Sequence, residues 1–256
     1  AILVRQELDV VAGVKEGLKD LGYERASFKE ALFTLGPQAD QDAQNAARQL
    51  IVEGVDLLVV TSEITTRDVL PVVKELKSDL PIVFLASFHD PVSYGLVESF
   101  KSSGNNLTGV TTDFVVVVGK QLDFLKRINL EAKKIGIFGR GFMVPFVGEE
   151  VYANLKSEAP KFGFEIVEYT TALPPPEAEK EWHRIALRIK RGDIDAIYHI
   201  PGHFYPTQEA AEAELVNRLG VAHIVPFEDL LTGGHFAYSG DYFVAGKQMA
   251  RLIDKI

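Results

Sequence analysis

The stretch PIVFLASFHDPVSYGLVESFKSSGNNLTGVTT, residues 81–112, decides the fold class. It begins with a wholly apolar run, Ile82–Ala86, which has the length and composition of a strand covered on both faces of a parallel sheet. A polar turn follows at residues 89–91, then a short predicted helical run, then a Gly/Asn loop before residues 107–110. Polar groups placed directly after a buried strand occupy the position where open α/β sheets bind their ligands.

The alternation of apolar strand and amphipathic helix extends outward from this stretch over the whole chain. Strands are predicted at 1–4, 28–35, 55–60, 82–86, 134–138, 165–170, 196–200, 222–225 and 236–238. Helices are predicted at 8–21, 40–53, 65–77, 115–128, 147–162, 177–191, 207–219 and 242–256. Pro71 is expected to kink its helix or to mark the first turn.

Repeated strand–helix units predict parallel sheets with helices on both faces. Two such series follow one another and are joined near Thr112 without a long linker. The sequence therefore predicts an α/β protein with two doubly wound parallel-sheet lobes and a ligand cleft between them. Residues 1–112 plus about 236–256 are expected to form the N-terminal lobe, and residues 113–235 the C-terminal lobe.

Composition excludes several function classes. The 256 residues carry a net charge of −9, which argues against nucleic acid as a partner because nucleic-acid binding requires basic patches. The absence of cysteine excludes disulfides and thiolate metal sites. No uninterrupted apolar run approaches the roughly 20 residues that span a bilayer.

No catalytic motif stands out in the sequence. It has no Gly-x-Ser-x-Gly nucleophile elbow, no Gly-x-Gly-x-x-Gly fingerprint and no phosphate-binding P-loop. His199 and His203 have a His-x₃-His spacing, but His199 lies in a predicted strand and Pro201-Gly202 comes between the two, so they do not share a helical face. We therefore predict a protein that is not an enzyme, with no metal and no cofactor.

Candidate ligand residues lie after the predicted strands of the first half. Thr61, Ser62 and Thr65 stand at the start of a helix, where hydroxyls and backbone N–H groups favour an anion, or where Ser62 or Thr65 simply caps the helix. Asp90 is placed to bind a ligand ammonium group or to cap the turn at Pro91. Ser87 and Phe88 lie nearer the end of the strand and are further candidates.

Later strand ends supply the remaining candidates. Arg140 and Phe142 lie in a Gly-flanked loop, where Arg140 could clamp a carboxylate and Phe142 could cover an apolar ring, or where Phe142 packs into the core. His203 and Phe204 follow the strand at 196–200. Asp241 precedes the last helix and either receives a ligand amine or hydroxyl or caps that helix.

Several motifs carry a family resemblance over nearly the whole chain. The most specific is DPV at 90–92 with GLV at 95–97, followed by GNNLTGV at 104–110. GVKEGLKDLGY at 13–23 and VDLLVVTS at 55–62 also match. With these motifs the chain resembles the substrate-binding proteins of ABC importers that have the type I periplasmic-binding fold, in the subgroup of tryptophan- and tyrosine-type binding proteins.

The resemblance implies a solute-binding protein whose two lobes close on a small ligand by a hinge. The aromatic residues of the candidate loops, Phe88, Phe142, Phe204 and Tyr205, indicate a ligand with an aromatic or apolar part. It implies an ABC permease as partner, a periplasmic or extracellular location with a lipid anchor as an option, and a monomer or weak dimer. The alternative is the ligand-sensing domain of a larger signalling protein, with a fused signalling module as partner. Only residues 5–7 separate the first strand from its helix, and so short a loop favours the sensor group.

Overall fold

In the structure, a computed structural model, the following residues are described: 1–4, 9–32, 38–76, 78–138, 149–171, 177–200, 206–226, 230 and 234–256. The strands within these ranges are β1 (Ile2–Val4), β2 (Glu30–Leu32), β3 (Leu58–Val60), β4 (Ile82–Ala86), β5 (Leu107–Thr111), β6 (Lys134–Phe138), β7 (Glu165–Tyr169), β8 (Ala196–Tyr198), β9 (Ala222–Val225) and β10 (Phe236–Ala237). The α-helices are α1 (Asp9–Asp20), α2 (Ala39–Val52), α3 (Glu63–Glu75), α4 (Phe114–Ile128), α5 (Glu149–Glu158), α6 (Glu177–Arg188), α7 (Pro206–Leu219) and α8 (Tyr242–Ile253).

These elements form two compact α/β units. The first comprises Ala1–Asp113 and Gly240–Ile256, and its sheet has the strand order β2-β1-β3-β4-β5. The second comprises Phe114–Ser239, and its sheet has the order β10-β9-β8-β6-β7. All the strand pairs are parallel, which confirms the predicted fold class. Among the described helices, none is long and apolar enough to cross a membrane.

The apolar strands of the first unit are buried on both faces, as a continuous apolar sequence requires. Side chains alternate between the faces, so Leu58 and Val60 of β3 join one core cluster while Val59 joins the other. β4 alternates in the same way. One cluster is completed by α2 and α3, and the other by α1 and α8. The doubly wound arrangement is thus the direct consequence of strands without a polar face.

Glycines bring α1 and α8 close together on one face of the first sheet. A Cβ atom at Gly13 would lie 2.1 Å from the carbonyl oxygen of Phe243, and one at Gly246 would lie 2.2 Å from that of Val10. Only hydrogen fits at either position. The last helix of the chain is therefore packed against the first, in the first unit.

The second unit has its own core, in which α6 and α7 cover one face of the sheet around Trp182, Ile197 and Leu215. A polar link also lies inside it. The hydroxyl of Tyr198 donates to Oε1 of Gln121, and Nε2 of Gln121 donates to the backbone oxygen of Tyr238 at 3.0 Å. Both Tyr198 and Gln121 are buried, so this link satisfies polar atoms that have left water.

The structure corrects the expected lobe boundary at residue 236. Residues from about 236 onward were expected in the N-terminal lobe, but β10 pairs with β9 in the second sheet, with Phe236 opposite Ile224. A further bond runs from the backbone N–H of His235 to the carbonyl of His223. The chain therefore returns to the first unit only at Gly240.

Two local expectations also need correction. The short helical run expected after Pro91 is a series of turns. Gly95 has φ +78°, a left-handed conformation that prevents a helix from continuing beyond its first turn. The N–H groups of Leu96 and Val97 both donate to the carbonyl of Pro91. Of the two expectations for Pro71, the position in the first turn is wrong, because α3 begins at Glu63 and Pro71 lies inside the helix.

Candidate functional site

Polar residues collect at the carboxyl ends of the strands of the first sheet. β3 and β4 are adjacent, with Val60 opposite Phe84, so the segments that follow them emerge at the same edge of the sheet. The residues concerned are Thr61, Ser62, Glu63, Ser87, Phe88, His89, Asp90, Thr112 and Asp241, and together they are called the carboxyl edge below. Open parallel sheets bind their ligands at this edge.

The hydroxyl residues after β3 form the start of α3. Ser62 is the N-cap, with extended backbone angles, and its Oγ accepts a hydrogen bond from the backbone N–H of Thr65 at 3.1 Å. The Thr65 hydroxyl lies 3.3 Å from the Oγ of Ser62, and both Thr65 and Thr61 are buried residues. Helix capping, the simpler of the two predicted roles, is therefore what Ser62 performs.

Glu63 ties the segment after β3 to the segment after β4. Its side chain is fully buried, and its carboxylate accepts hydrogen bonds from the backbone N–H groups of Ser87, Phe88 and His89 at 2.9–3.1 Å. Nδ1 of His89 lies 3.0 Å from the same carboxylate. Four contacts compensate the loss of hydration of this charge, and the loop is held in one conformation.

An aromatic stack continues outward from Glu63. The ring of His89 stacks on the ring of Tyr94 with centroids 4.4 Å apart, and the guanidinium carbon of Arg67 lies 4.2 Å from the Tyr94 centroid. Arg67 is one helical turn after Glu63 on α3, so both anchors of the loop belong to the same helix. The loop after β4 is therefore fixed at both its buried and its exposed end.

Asp90 completes this loop as a turn-capping residue. Its Oδ1 accepts hydrogen bonds from the backbone N–H groups of Val92 at 2.9 Å and of Ser93 at 2.8 Å. The capping role that the sequence offered as an alternative is thus present, and the side chain remains partly exposed at the carboxyl edge. A carboxylate can cap a turn through one oxygen and contact a ligand through the other.

Ser87 and Asp241 are brought to the same edge through Thr112. The Thr112 hydroxyl donates to the Oγ of Ser87 at 2.9 Å. Gly240 lies against Thr112, because a Cβ at Gly240 would be only 2.6 Å from the Thr112 Cβ. Asp241 follows directly and caps α8, with its Oδ1 accepting from the N–H of Val244 at 3.0 Å.

The structure thus gathers seven of the predicted site residues into one region of the first unit, namely Thr61, Ser62, Thr65, Ser87, Phe88, Asp90 and Asp241. The four others, Arg140, Phe142, His203 and Phe204, lie outside the described residues.

Sequence reasoning missed Glu63 and Thr112. In the sequence, Glu63 is an acidic residue in the first turn of a helix, a common position because a negative charge there complements the helix dipole. Nothing in that position reveals its contacts with residues 24–26 positions further along the chain. Thr112 closes the most informative stretch of the sequence, but its pairing with Ser87 depends on β5 lying beside β4 in the register Ala86 opposite Thr111.

The carboxyl edge has an acidic character. Glu63, Asp90 and Asp241 contribute three carboxylates, and the N–H groups of the loop after β4 that could have bound an anion are already occupied by Glu63. Phe88 adds a half-buried aromatic ring. Such a surface suits a ligand with a cationic group and an apolar or aromatic part.

Comparison with known proteins places the chain in a family. Residues 5–201 match the family described as ABC transporter substrate binding protein. A tyrosine-binding protein of Clostridioides difficile (strain R20291) is 24% identical over 242 residues, which are 94% of this chain and 66% of that protein. The chain thus spans slightly less than two thirds of the length of this relative.

Solved structures agree with the fold along nearly the whole chain. The ABC domain from Streptococcus pneumonia in complex with L-Trp has a TM-score of 0.72 at 16% identity, covering 99% of this chain and 82% of that one. The ligand-free, open structure of a Clostridium difficile substrate binding protein with adhesive properties has a TM-score of 0.66 at 19% identity, covering 99% and 83%. Both support the type I periplasmic-binding fold. Because the family match spans most of the chain, the protein belongs to the ABC transporter substrate-binding protein family.

Proposed function

We propose that this chain is the solute-binding component of an ABC importer and binds a small aromatic amino acid through the carboxyl edge of its first unit. The family match over residues 5–201 carries the proposal. The carboxyl edge supports it, because polar and acidic side chains stand where parallel sheets bind ligands.

The chemistry of the carboxyl edge favours a ligand ammonium group. Asp90 and Asp241 each use Oδ1 to cap backbone N–H groups, which orients the carboxylates without neutralising them. A charge-assisted hydrogen bond from an ammonium group to such a carboxylate is stronger than one between neutral groups. Phe88 offers a ring for an apolar or aromatic side chain.

The relatives support the ligand class. One is named for binding tyrosine, and the solved domain from Streptococcus pneumonia contains L-Trp. Arg140, Phe142, His203 and Phe204 remain proposed ligand contacts from the second unit, with Arg140 as the partner of the ligand carboxylate. An ABC permease would then take over the solute on the outer side of the cytoplasmic membrane, where a lipid anchor would hold the protein.

The family is one of substrate-binding proteins and not of enzymes. In such proteins the ligand is bound and released unchanged, so no catalytic group is required. The carboxyl edge fits this role, since Glu63, its most buried acid, is fully engaged by loop N–H groups and His89.

The proposal is tested by calorimetry and thermal denaturation with L-Tyr, L-Trp and L-Phe, with L-Leu and D-glucose for comparison. An aromatic amino acid at 100 times its dissociation constant should raise the free energy of unfolding by about 2.7 kcal/mol. Mass spectrometry of the recovered ligand should find it unchanged. If no aromatic amino acid binds, the ligand class is wrong, and if the ligand is converted, the chain is an enzyme.

A further inference from the structure

A buried group of three side chains lies in the second unit, away from the carboxyl edge of the first. His199 directly follows β8, Glu212 is on α7 and His223 is on β9. His223 is opposite Ile197 in the parallel register, and His199 is two residues after Ile197, so both imidazoles face the same side of the sheet. α7 connects these two strands and presents Glu212 to the two histidines.

The three side chains converge on one point. Oε2 of Glu212 lies 2.7 Å from Nδ1 of His199 and 3.3 Å from Nε2 of His223. One potential ligand atom from each residue lies within 4.8 Å of the others. In a tetrahedral zinc site, with bonds of about 2.0–2.1 Å, neighbouring ligand atoms are about 3.3 Å apart. The Glu212–His223 distance of 3.3 Å already has this value, and the Glu212–His199 distance of 2.7 Å is about 0.6 Å shorter, so these two atoms would move apart when the ion binds.

We propose that His199, Glu212 and His223 form a binding site for a divalent transition-metal ion, with Zn²⁺ as the preferred ion. Two imidazoles and one carboxylate are an established zinc donor set that leaves a fourth coordination position open. Imidazole nitrogen suits Zn²⁺, Cu²⁺ and Ni²⁺, whereas Mg²⁺ and Ca²⁺ prefer oxygen ligands. The site should therefore discriminate between these two groups of ions.

The three donors are buried: Glu212 is 0% exposed, and each histidine is 5% exposed. A divalent ion held between them would be shielded from water, where its attraction to the Glu212 carboxylate is stronger than at the protein surface.

The donor atom that His223 presents to the cluster is Nε2, at 3.3 Å from Oε2 of Glu212. Its other ring nitrogen, Nδ1, is buried and has no hydrogen-bond partner among the described residues. The geometry of the three facing donor atoms therefore carries the proposal.

The position of the site suggests a structural role. All three ligands belong to one strand–helix–strand crossover, so a bound ion would fasten α7 to β8 and β9. Since binding occurs to the folded crossover, the ion should stabilise the second unit against unfolding. His199 also stands two residues before the segment 201–205, which contains the predicted ligand residues His203 and Phe204.

Tag-free protein of the full 256 residues, treated with a chelator, is titrated with ZnCl₂ by calorimetry, with MgCl₂ and CaCl₂ as comparison salts. We expect one Zn²⁺ per chain, a higher melting temperature with Zn²⁺, and neither effect with Mg²⁺ or Ca²⁺. Addition of Co²⁺ to the unaltered protein should give the strong visible absorption of a tetrahedral cobalt site. A wild-type chain that takes up no stoichiometric Zn²⁺ would overturn the proposal.

Variants locate the site. Glu212→Gln and His223→Gln should each lower the Zn²⁺ affinity by about tenfold or more. His183→Ala is the matched control, because Nδ1 of His183 lies 3.0 Å from Glu214 in an exposed His–Glu pair, and it should leave the affinity unchanged. Retention of the affinity in both cluster variants, or its loss in His183→Ala, would place the ion elsewhere. If a cluster variant does not fold, the cobalt spectrum of the wild type still decides whether a tetrahedral site exists.

Discussion

Glu63 and His89 are joined at two points: Oε1 of Glu63 lies 3.1 Å from the backbone nitrogen of His89 and 3.0 Å from its Nδ1. The first residue of α3 therefore holds the loop that follows β4, across two adjacent strands of the sheet. Because the Glu63 side chain is fully buried, water cannot replace these contacts. The carboxylate of Glu63 thus holds the buried end of the loop at the carboxyl edge.

Replacement of Glu63 by Ala should destabilise the protein by about 3 kcal/mol or more, because the N–H groups of Ser87 and Phe88 lose a charged acceptor inside the protein. Glu63→Gln keeps one acceptor oxygen and should therefore lower the free energy of unfolding by less than Glu63→Ala does. Urea denaturation measures both. Glu75→Ala is the control. Glu75 is on the same helix as Glu63 and forms an exposed ion pair with Arg48 of α2, so its replacement should change stability little. Equal effects at the two positions would show that the buried contacts contribute nothing.

The fold could be predicted from the sequence because its determinants are local. Apolar runs without a polar face, such as Ile82–Ala86, are typical of strands covered on both sides, and the helices between them have one apolar face. Even α4, whose run of four valines favours a strand, was predicted as a helix, because helical periodicity continues beyond the valines to Ile128. The error at residue 236 arose because a two-residue strand carries too little pattern to reveal its sheet.

The site could be predicted only in part. Strand ends are visible in a sequence, so the positions of Ser62, Ser87 and Asp90 after β3 and β4 could be predicted, and their contact with a ligand stays a prediction. Contacts between distant segments are not visible, and so Glu63 was missed. The same holds for the second unit, where His199 was paired in sequence with His203, while the structure brings it to Glu212 and His223. Register between strands, and not spacing along the chain, decides which side chains meet.

The contact between α1 and α8 predicts a sharp difference between two glycines. Gly13→Ala should destabilise the protein by about 1–3 kcal/mol, since the new methyl would lie 2.1 Å from the carbonyl oxygen of Phe243 and the helices would have to separate. Gly119→Ala, in α4, is the control, because its nearest neighbour atom is 3.9 Å away. At position 119 the higher helix propensity of Ala should raise the free energy of unfolding by up to about 1 kcal/mol. Thermal denaturation measures both, and a neutral Gly13→Ala would contradict the close helix packing.

The buried link in the second unit predicts a cost for removing a single hydroxyl. Burial raises the pKa of Tyr198, so its hydroxyl stays a donor to Gln121 at all ordinary pH values. Tyr198→Phe leaves Oε1 of Gln121 buried without this donor and should cost about 1–3 kcal/mol in chemical denaturation. Tyr23→Phe removes an exposed hydroxyl that donates to Asp254 at 2.9 Å, and its stability should stay close to that of the wild type. A Tyr198→Phe protein as stable as the wild type would mean that Gln121 finds another donor.

The proposed role of Asp90 in ligand binding can be separated from its role in the fold. Asp90→Asn keeps an oxygen that can accept from the N–H groups of Val92 and Ser93, so the turn should persist and the melting temperature should change little. The negative charge is lost, however, and the affinity for an aromatic amino acid should fall by about tenfold or more, since a hydrogen bond to a charged group contributes about 1.5–3 kcal/mol. Asp79→Asn is the matched control, because Asp79 is exposed and precedes β4, at the opposite end of the strand. Calorimetry with the same ligand should give the wild-type affinity for Asp79→Asn. If Asp90→Asn also binds with the wild-type affinity, the ligand ammonium group binds elsewhere, and Asp241 is the next carboxylate to replace.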